Sequence, residues 1–456
     1  MYDVIIVGGG PAGLFAAYEL ITNNPDLKIV LIEKGKPIGQ RQRHEVMCGI
    51  GGAGTFSDGK LHFTPVLSHE KMLDIYDVDE YQKVMDYVDE ILTDFGVTAE
   101  YYPKNVGKVA ELVDRCKRNS VHLYVRKTRH VGSDKLPKVI ANFENFLRQK
   151  GIEIKTENVV TDIIKEEDKC TGVIAHGEKV YGKNIILAPG RVNATWLQDL
   201  AKKYQLGFNY EKVEVGVRVE FPEGVMREYS DVLYETVFKV HTTSYDDIMR
   251  SFCPCPKGMV AIEDYEGFVC VNGHSNSDHN SENSNFAFVT EIKLTKPVEN
   301  TTKYAKSIAK LANTIGGGKP ILQRLADLRA GRRSTWDRIK KSYVQPTLKD
   351  VVPGDISMAF PHRVVTNIIE GLRMLDKVLP GLNSGNTLLY APEIKLRSSK
   401  IKTSKHLETK IKGLYVAGDA AGVSGNIVGA AATGIIAAKG ILNTVNASEI
   451  PPQQNL

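Results

Sequence analysis

A glycine-rich turn between an apolar strand and a helix opens the chain and sets the strongest limit on its fold. Tyr2–Val7 is short, rich in β-branched residues and almost continuously apolar, which is typical of a strand buried on both faces. The turn Gly8–Gly13 (GGGPAG) follows, and a second apolar run, Lys28–Ile32, ends at Glu33. This order predicts a dinucleotide site in which the glycines admit a pyrophosphate and the acid holds ribose hydroxyls. The alternative is a glycine-rich turn that binds no ligand.

The composition excludes several other classes of protein. Of 456 residues, 42% are hydrophobic and 25% charged, and a net charge of +5 is small for this length, so a nucleic-acid partner is not indicated. The six cysteines lie mostly far apart and do not resemble a disulfide framework. The longest apolar stretch, Ile427–Ala438, is short for a membrane span and rich in Ala and Gly. We therefore predict a cytoplasmic protein with no signal peptide, no membrane span and no bound metal.

A second glycine-rich stretch, Gly39–Leu61, is interpreted as the wall against which the redox ring of a cofactor rests. Its glycines alternate with small and polar residues, which leaves backbone amides free to face a planar ligand or an anion. The alternative is a long surface loop, but such a loop seldom carries Ile50, Phe56 and Leu61 between its glycines. The side chains of Arg41, Thr55, Ser57 and Lys60 add donors and positive charge.

The chain is predicted to fold as α/β, with a Rossmann-like domain interrupted by a second, mixed-sheet α+β domain. The first domain is expected at 1–205, with a helical insertion at about 68–150. From Leu206 the pattern changes, and Glu214–Phe221 alternates like a half-exposed antiparallel strand. The inserted domain is expected at 206–395, the return to the first domain at 396–446 and a loose tail at 447–456.

The return segment carries a third cofactor pattern. A short apolar strand ends at Gly418-Asp419, and Gly425-Asn426-Ile427 begins a helix of small residues. Asp419 falls at the carboxyl end of its strand, where open α/β sheets place ligand contacts. The helix start offers backbone amides and a partial positive charge.

Taken together, these motifs resemble the glutathione-reductase-type superfamily of flavoproteins, in which they clasp one FAD. The resemblance implies that Glu33 holds the adenosine ribose and that Val159 contacts the adenine through its backbone. It also implies that Asp419 binds the ribityl chain or pyrophosphate and that Asn426 and Ile427 face the N1–C2=O edge of the flavin. The expected cofactor-binding residues are Gly8, Gly10, Pro11, Ala12, Gly13, Glu33, Lys34, Arg41, Gly52, Gly54, Thr55, Ser57, Gly59, Lys60, Val159, Pro189, Gly190, Gly418, Asp419, Gly425, Asn426 and Ile427.

Four further segments resemble a narrower family, the uncharacterised FAD-dependent dehydrogenases. They are GGAGTFSDGKL (residues 51–61), SFCPCPKG (251–258), NGHSN (272–276) and Ser398-Ser399 after Glu393. The resemblance implies a flavin oxidoreductase without naming its substrate.

The source of electrons stays open at this stage. No second strand-turn-helix unit with the G-x-G-x-x-G pattern is found, and Gly316–Gly318 follows a helix, which favours a helix stop. The expected cofactor is FAD. NAD(P)H bound transiently, an electron-transfer partner protein and the organic substrate itself are the candidate electron donors.

Two polar side chains near glycine-rich or polar loops are candidates for catalysis. Lys60 is placed to stabilise reduced flavin by its charge, and His274 to donate a proton to a substrate anion. His44 and Cys48 are candidates for covalent flavin attachment. For each of these residues, an ordinary loop or surface residue is the alternative.

Cys253 and Arg333 complete the catalytic candidates. Cys253 lies two residues before Cys255, a spacing that leaves open a redox disulfide, a zinc ligand pair and thiols that line the substrate site. Arg333 belongs to LRAGRRS (328–334), whose arginines suit a substrate carboxylate; a charged surface segment is the alternative.

The sequence therefore predicts an FAD-dependent oxidoreductase that transfers a hydride between flavin N5 and a small organic substrate. A flavin monooxygenase is the alternative within the enzymes. A flavin-containing protein that modifies or binds RNA is the alternative from another class.

Overall fold

The computed structural model of the chain describes residues 1–42, 48–57, 59–65, 72–132, 134–265, 267–274, 281–292, 294, 300–395 and 399–449. The chain divides into two compact units. Unit 1 comprises Met1–Glu100, Arg129–Glu211 and Ser398–Leu456, and unit 2 comprises Tyr101–Thr128 and Lys212–Arg397.

The elements are numbered along the chain. The strands are β1 (Tyr2–Val7), β2 (Ile29–Ile32), β3 (Lys60–His62), β4 (Tyr101–Tyr102), β5 (His122–Tyr124), β6 (Thr128–His130), β7 (Glu153–Lys155), β8 (Val160–Glu166), β9 (Lys169–Ala175), β10 (Glu178–Leu187), β11 (Phe208–Asn209), β12 (Val213–Pro222), β13 (Val237–His241), β14 (Ile248–Cys255), β15 (Met259–Tyr265), β16 (Phe268–His274), β17 (Asn283–Ile292), β18 (Ile321–Arg324), β19 (Val352–Pro353), β20 (Leu388–Lys395), β21 (Lys400–Ile401) and β22 (Leu414–Val416). The helices are α1 (Pro11–Asn23), α2 (Val78–Asp94), α3 (Val106–Arg118), α4 (Leu136–Gln149), α5 (Ala194–Lys203), α6 (Arg227–Leu233), α7 (Thr301–Ile315), α8 (Leu325–Arg329), α9 (Trp336–Lys340), α10 (His362–Leu375) and α11 (Ile427–Glu449).

The main sheet of unit 1 is built around β1. Its parallel strands run in the order β7, β2, β1, β10 and β22. β10 is long: its second half pairs with β1 and its first half pairs antiparallel with β9, which pairs with β8. Val4, Ile5 and Ile6 have no exposed surface and lie in the large apolar core of this unit. The predicted α/β, Rossmann-like fold is confirmed.

Helices α1 and α11 pack closely in unit 1 because glycine faces backbone at their crossing. A Cβ added to Gly434 would lie 2.0 Å from the carbonyl oxygen of Ala12, so only glycine allows the two backbones to come this near. α11 continues to Glu449, which corrects the prediction of a loose tail from 447. Residues 450–456 lie outside the described part of the chain.

α11 is also the one helix among the described residues that is long and apolar enough to cross a membrane. The candidate span, Ile427–Val445, has a mean hydropathy of 1.4, and 78% of its most apolar stretch is buried. Core helices of folded domains share this length and composition, and the burial here is that of a core helix.

Unit 2 is organised on a largely antiparallel sheet. In the described residues its strands run in the order β19, β18, β20, β12, β17, β14, β13 and β5, with β18 and β19 parallel. One face of β12 presents its valines to an apolar core shared with α7 and α10. The other face lies beneath the β15–β16 hairpin, because Gly273 of β16 packs directly on the side chain of Arg218.

The prediction that Glu214–Phe221 is half exposed is wrong. Every residue of this stretch is buried, including Glu214, Arg218 and Glu220, which have 3% exposed surface or less. The alternation of polar and apolar side chains is present, but the hairpin covers the polar face. Alternating polar and apolar residues usually indicate a strand with one solvated face. In this strand the polar residues form a buried layer instead.

Residues 101–128 belong to unit 2, whereas the sequence assigned them to the insertion in the first domain. β5 adds itself to the edge of the unit 2 sheet by pairing with β13. α3 packs on α6, where the Cys116 thiol lies 3.5 Å from the Tyr229 hydroxyl. Such long-range edge pairing leaves no local signal in the sequence, which explains the error.

Candidate functional site

The turn Gly8–Gly13 of unit 1 is compact because its outer glycines have no room for a side chain. A Cβ at Gly8 would lie 2.1 Å from the carbonyl oxygen of Ala188, and a Cβ at Gly13 would lie 1.9 Å from that of Gly8. Gly8 also has a φ of +107°, a conformation that favours glycine. These contacts join β1, α1 and the end of β10 at one point.

The second glycine loop and the start of α11 meet this turn. A Cβ on Gly52 would lie 3.1 Å from the Cα of Gly10, and a Cβ on Gly54 would lie 2.9 Å from Ile427. We call the combined surface of residues 8–13, 51–55 and 418–427 the glycine cradle. The structure thus brings together three segments that the sequence singled out separately.

The glycine cradle fits FAD. Gly10 has open space where a side chain would be, since the nearest atom to an added Cβ is the Cα of Gly52 at 3.9 Å. Gly10 also precedes α1 with no side-chain cap, and Pro11 occupies the first turn. The N-terminal amides of α1 are therefore left for an anion such as a pyrophosphate. At the start of α11, by contrast, the Asn426 side chain accepts a hydrogen bond from the Gly429 amide at 2.8 Å.

The Glu33 side chain links the glycine turn to two neighbouring loops through hydrogen bonds. Its Oε2 accepts a hydrogen bond from the Gly9 amide at 2.7 Å, and its Oε1 accepts from the amides of Gly35 and Gly49, each at 2.8 Å. Glu33 is 6% exposed. A carboxylate oxygen accepts more than one hydrogen bond, so Oε2 keeps capacity for a ribose hydroxyl.

Arg41 has a different environment from the one expected. Its Nη1 donates to the carbonyl oxygens of Ile50 at 2.6 Å and Gly52 at 3.1 Å, and to the Thr55 hydroxyl at 3.0 Å. The guanidinium lies 4.9 Å from the centre of the Phe56 ring. This buried cation holds the second glycine loop in shape.

Asp419 is held by two groups. The Ser424 hydroxyl donates to Oδ1 at 2.5 Å, and Arg191 Nη2 donates to Oδ2 at 2.9 Å. The Gly418 amide donates to the Thr433 hydroxyl at 2.9 Å. Arg191 was missed by the sequence reasoning, although its position directly after Gly190 was a usable signal.

The remaining predicted cofactor residues occupy varied positions in unit 1. Lys34 donates to the Asn193 side chain at 3.1 Å, and the Ser57 hydroxyl donates to the Gly54 carbonyl at 2.7 Å. Val159 is 46% exposed, while Lys60 is buried at the start of β3. Cys48 is a partly exposed free thiol. His44 lies outside the described residues.

In unit 2 the structure brings Cys253, and the residue that precedes His274, to the same buried arginine. Arg218 Nη2 donates to the Cys253 carbonyl at 2.7 Å and lies 3.3 Å from the Cys255 sulfur. A Cβ on Gly273, the neighbour of His274, would lie 1.7 Å from Arg218 Nη2. The structure shows no disulfide at Cys253 or Cys255 among the described residues.

Arg333 lies elsewhere in unit 2, exposed in the loop between α8 and α9, and its carbonyl accepts from Arg338 at 2.8 Å. Its neighbours serve local structure. Arg332 donates to Asp327 at 2.9 Å, and Arg329 donates to the Asn383 carbonyl at 2.9 Å. The structure does not show the three arginines as a joint clamp.

The sequence analysis did not predict the buried layer of polar side chains around Arg218. Arg218 Nε donates to Asn285 Oδ1 at 2.7 Å, while Nη1 lies 3.9 Å from Glu393 Oε2. Lys395 Nζ lies 3.3 Å from Glu393 Oε1. Burial raises the pKa of Glu393 above its usual value, against the pull of Lys395 and Arg218. Charged residues at alternate positions of a strand were the available signal.

Comparison with protein families divides the chain near residue 211, as the structure does, but keeps residues 101–128 in the first match. A family model described as "FAD binding domain" matches residues 3–210, and one described as "FAD-dependent protein, C-terminal domain-like" matches residues 212–396. A third, described as "Glucose inhibited division protein A", matches residues 348–449. An uncharacterised protein of Clostridium beijerinckii is 25% identical over 479 residues, which cover 96% of this chain and 80% of that protein.

Solved structures with similar folds are more distant. A variant of E. coli quinol fumarate reductase gives a TM-score of 0.45 at 13% identity, covering 99% of this chain and 72% of that one. Glycine oxidase from Bacillus cereus gives 0.42 at 14% identity, covering 97% and 96%. Scores this low carry no argument about chemistry. With the glycine cradle and two FAD-related family matches that together cover residues 3–210 and 212–396, the chain is an FAD-dependent oxidoreductase.

Proposed function

We propose that the protein transfers a hydride between the flavin and a small organic substrate, with unit 2 as the substrate-binding domain. Bound FAD supplies the two-electron chemistry at its N5 atom. The observation that carries the proposal is the buried polar layer of unit 2. A domain that needed only an apolar core would not enclose Arg218 and Glu393 beneath a hairpin.

The residues of unit 1 bind and orient the cofactor in this proposal. The open backbone at Gly10 and the start of α1 receive the pyrophosphate, Glu33 the adenosine ribose, and Asp419 the ribityl chain or pyrophosphate. Arg41 keeps the second glycine loop in place, and Lys60 supplies positive charge near the flavin. These roles follow the resemblance to flavoproteins of the glutathione-reductase type and to the narrower family of FAD-dependent dehydrogenases.

We propose that NAD(P)H binds transiently and donates the electrons, because the families matched by the two units are described by FAD and not by a nicotinamide domain. We also propose that the protein acts in the cytoplasm. Mixing the FAD-loaded protein with NADH or NADPH in the absence of oxygen is expected to bleach the oxidised flavin spectrum within seconds. A spectrum that stays oxidised with both nucleotides contradicts this donor and directs the search to a partner protein or the substrate. Oxygen consumption that depends on both NADPH and an organic substrate would instead indicate a monooxygenase.

A further inference from the structure

An ion pair in unit 1 joins the turn after β10 to the turn after β22. Arg191 Nη2 donates to Asp419 Oδ2 at 2.9 Å, and the two side chains are 41% and 19% exposed. Asp419 is a proposed contact of the ribityl chain or pyrophosphate, whereas none of the roles given above requires Arg191. The place of the pair beside the glycine turn indicates such a role.

The order of the strands brings both residues to the edge of the sheet where the glycine turn lies. β10 is between β1 and β22, and it is parallel to each of them where they pair. The carboxyl ends of these strands therefore meet at one edge of the sheet. There β1 leads into the glycine turn, β10 into the turn Arg191–Asn193 and β22 into the turn Asp419–Ala421. The last two turns are in contact.

The residue before Asp419 packs against the start of α1. A Cβ on Gly418 would lie 3.2 Å from the Cβ of Ala12, and the Gly418 amide is held by the Thr433 hydroxyl at 2.9 Å. Ala12 belongs to the first turn of α1, whose amides are the proposed place of the pyrophosphate. Because a carboxylate and a diphosphate are both negative, Asp419 opposes binding of the anion unless a cation offsets its charge.

The contacts of Asp419 leave this task to Arg191. The Ser424 hydroxyl, 2.5 Å from Oδ1, is a neutral donor. Among the described residues, Arg191 is the cation that pairs with this carboxylate. An ionised carboxylate accepts hydrogen bonds and cannot donate one, so Asp419 suits a ribityl hydroxyl and not a phosphate oxygen.

The loop that carries Arg191 is also held on its other side. The Asn193 side chain donates to the Pro189 carbonyl at 2.8 Å, and its Oδ1 accepts from Lys34 Nζ at 3.1 Å. Lys34 follows Glu33, the residue proposed to bind the adenosine ribose. The loop of residues 189–193 therefore reaches from the ribose side of the cofactor site to Asp419, and it fixes the position of the guanidinium.

We propose that Arg191 is a positioning residue for FAD, because it offsets the charge of Asp419 beside the place of the pyrophosphate. The proposal rests on the proposed function, since it requires FAD in the glycine cradle. Arg191 acts through Asp419 and not through a contact of its own with the cofactor. Removing the cation alone must therefore weaken FAD binding more than removing the cation and the carboxylate charge together.

A double-mutant cycle on the affinity for FAD, measured by fluorescence titration of the apoprotein, tests this role. Arg191→Met is expected to bind FAD about 30-fold more weakly, because Asp419 loses its counter-charge. Asp419→Asn keeps an acceptor oxygen without the charge and is expected to bind about fivefold more weakly. The double variant should bind FAD like Asp419→Asn. Arg191→Lys keeps the charge and should stay within about threefold of the wild type.

The double variant separates positioning from other roles. If it binds FAD no better than Arg191→Met does, Arg191 contacts the cofactor directly or only shapes its loop, and the proposal is wrong. Wild-type affinity in Arg191→Met also overturns the proposal. Wild-type protein that takes up no FAD overturns the proposed function instead. If Arg191→Met does not fold, Arg191→Gln, which also removes the charge, takes its place in the cycle.

Lys183→Met is the matched control. Lys183 pairs with Asp3 at 2.7 Å with similar exposure, 56% and 24%, and this pair lies where β1 and β10 begin to pair, away from the glycine turn. Exposed ion pairs contribute little to stability, so the apoprotein variants should all melt close to the wild type. Lys183→Met should bind FAD with wild-type affinity. A loss equal to that of Arg191→Met would show a general effect of surface charge and overturn the proposal.

Discussion

Replacing Gly10 with alanine is expected to abolish retention of FAD while leaving the fold intact. Gly10 has a φ of −75°, which any residue adopts, and an added Cβ would touch nothing in the protein closer than 3.9 Å. The methyl group would therefore fit the protein and occupy the surface that a pyrophosphate must approach. We expect FAD to bind about 100-fold more weakly, equivalent to about 3 kcal/mol. Titration of FAD fluorescence measures this loss.

Gly224→Ala is the matched control, because Gly224 has no atom within 4 Å of an added Cβ and lies in unit 2. It should bind FAD like the wild type. Both variants should melt within a few degrees of the wild-type protein when FAD is absent. Normal FAD affinity in Gly10→Ala would show that the turn does not face the cofactor.

Replacing Arg41 with alanine should weaken FAD binding through the second glycine loop. The variant loses hydrogen bonds to the Ile50 and Gly52 carbonyls and to the Thr55 hydroxyl, and it leaves these buried groups unpaired. Hydrogen bonds from a charged donor contribute about 1.5–3 kcal/mol each. We therefore expect FAD affinity to fall about 10- to 100-fold and the melting temperature of the apoprotein to fall as well, measured by FAD titration and thermal unfolding.

Arg148→Ala is the control for the loss of an arginine from unit 1. Arg148 is 43% exposed and pairs with Glu144 one helical turn away, an interaction that contributes little to stability. This variant should keep wild-type FAD affinity. If Arg41→Ala binds FAD as tightly as Arg148→Ala does, the loop held by Arg41 is not part of the cofactor site.

The cofactor half of the molecule was predictable because its signals are local. β1, the glycine turn and α1 are consecutive in sequence, and the close contact of Gly13 with the Gly8 carbonyl is the geometry that the spacing requires. The return strand β22 and α11 could be placed because Gly418-Asp419 follows an apolar strand in the same way. The local patterns did not indicate that Arg41 donates its hydrogen bonds to the second glycine loop.

The substrate half was less predictable because its chemistry depends on what covers a sheet. Polar and apolar residues alternate in β12 as they do in a solvated strand. The polar face is buried because the β15–β16 hairpin covers it. Arg218 and Glu393 are 175 residues apart in sequence, and their approach depends on the pairing of β12 with β20. A second long-range pairing, that of β5 with β13, places residues 101–128 in unit 2.

FAD stoichiometry tests most directly whether the glycine cradle binds the cofactor. Purified protein is incubated with excess FAD, freed of unbound cofactor by gel filtration, and measured by absorbance for flavin and protein. We expect roughly one FAD per chain, a higher melting temperature than that of the apoprotein, and loss of both in Gly10→Ala. Wild-type protein that emerges colourless, with an unchanged melting temperature, would contradict this expectation.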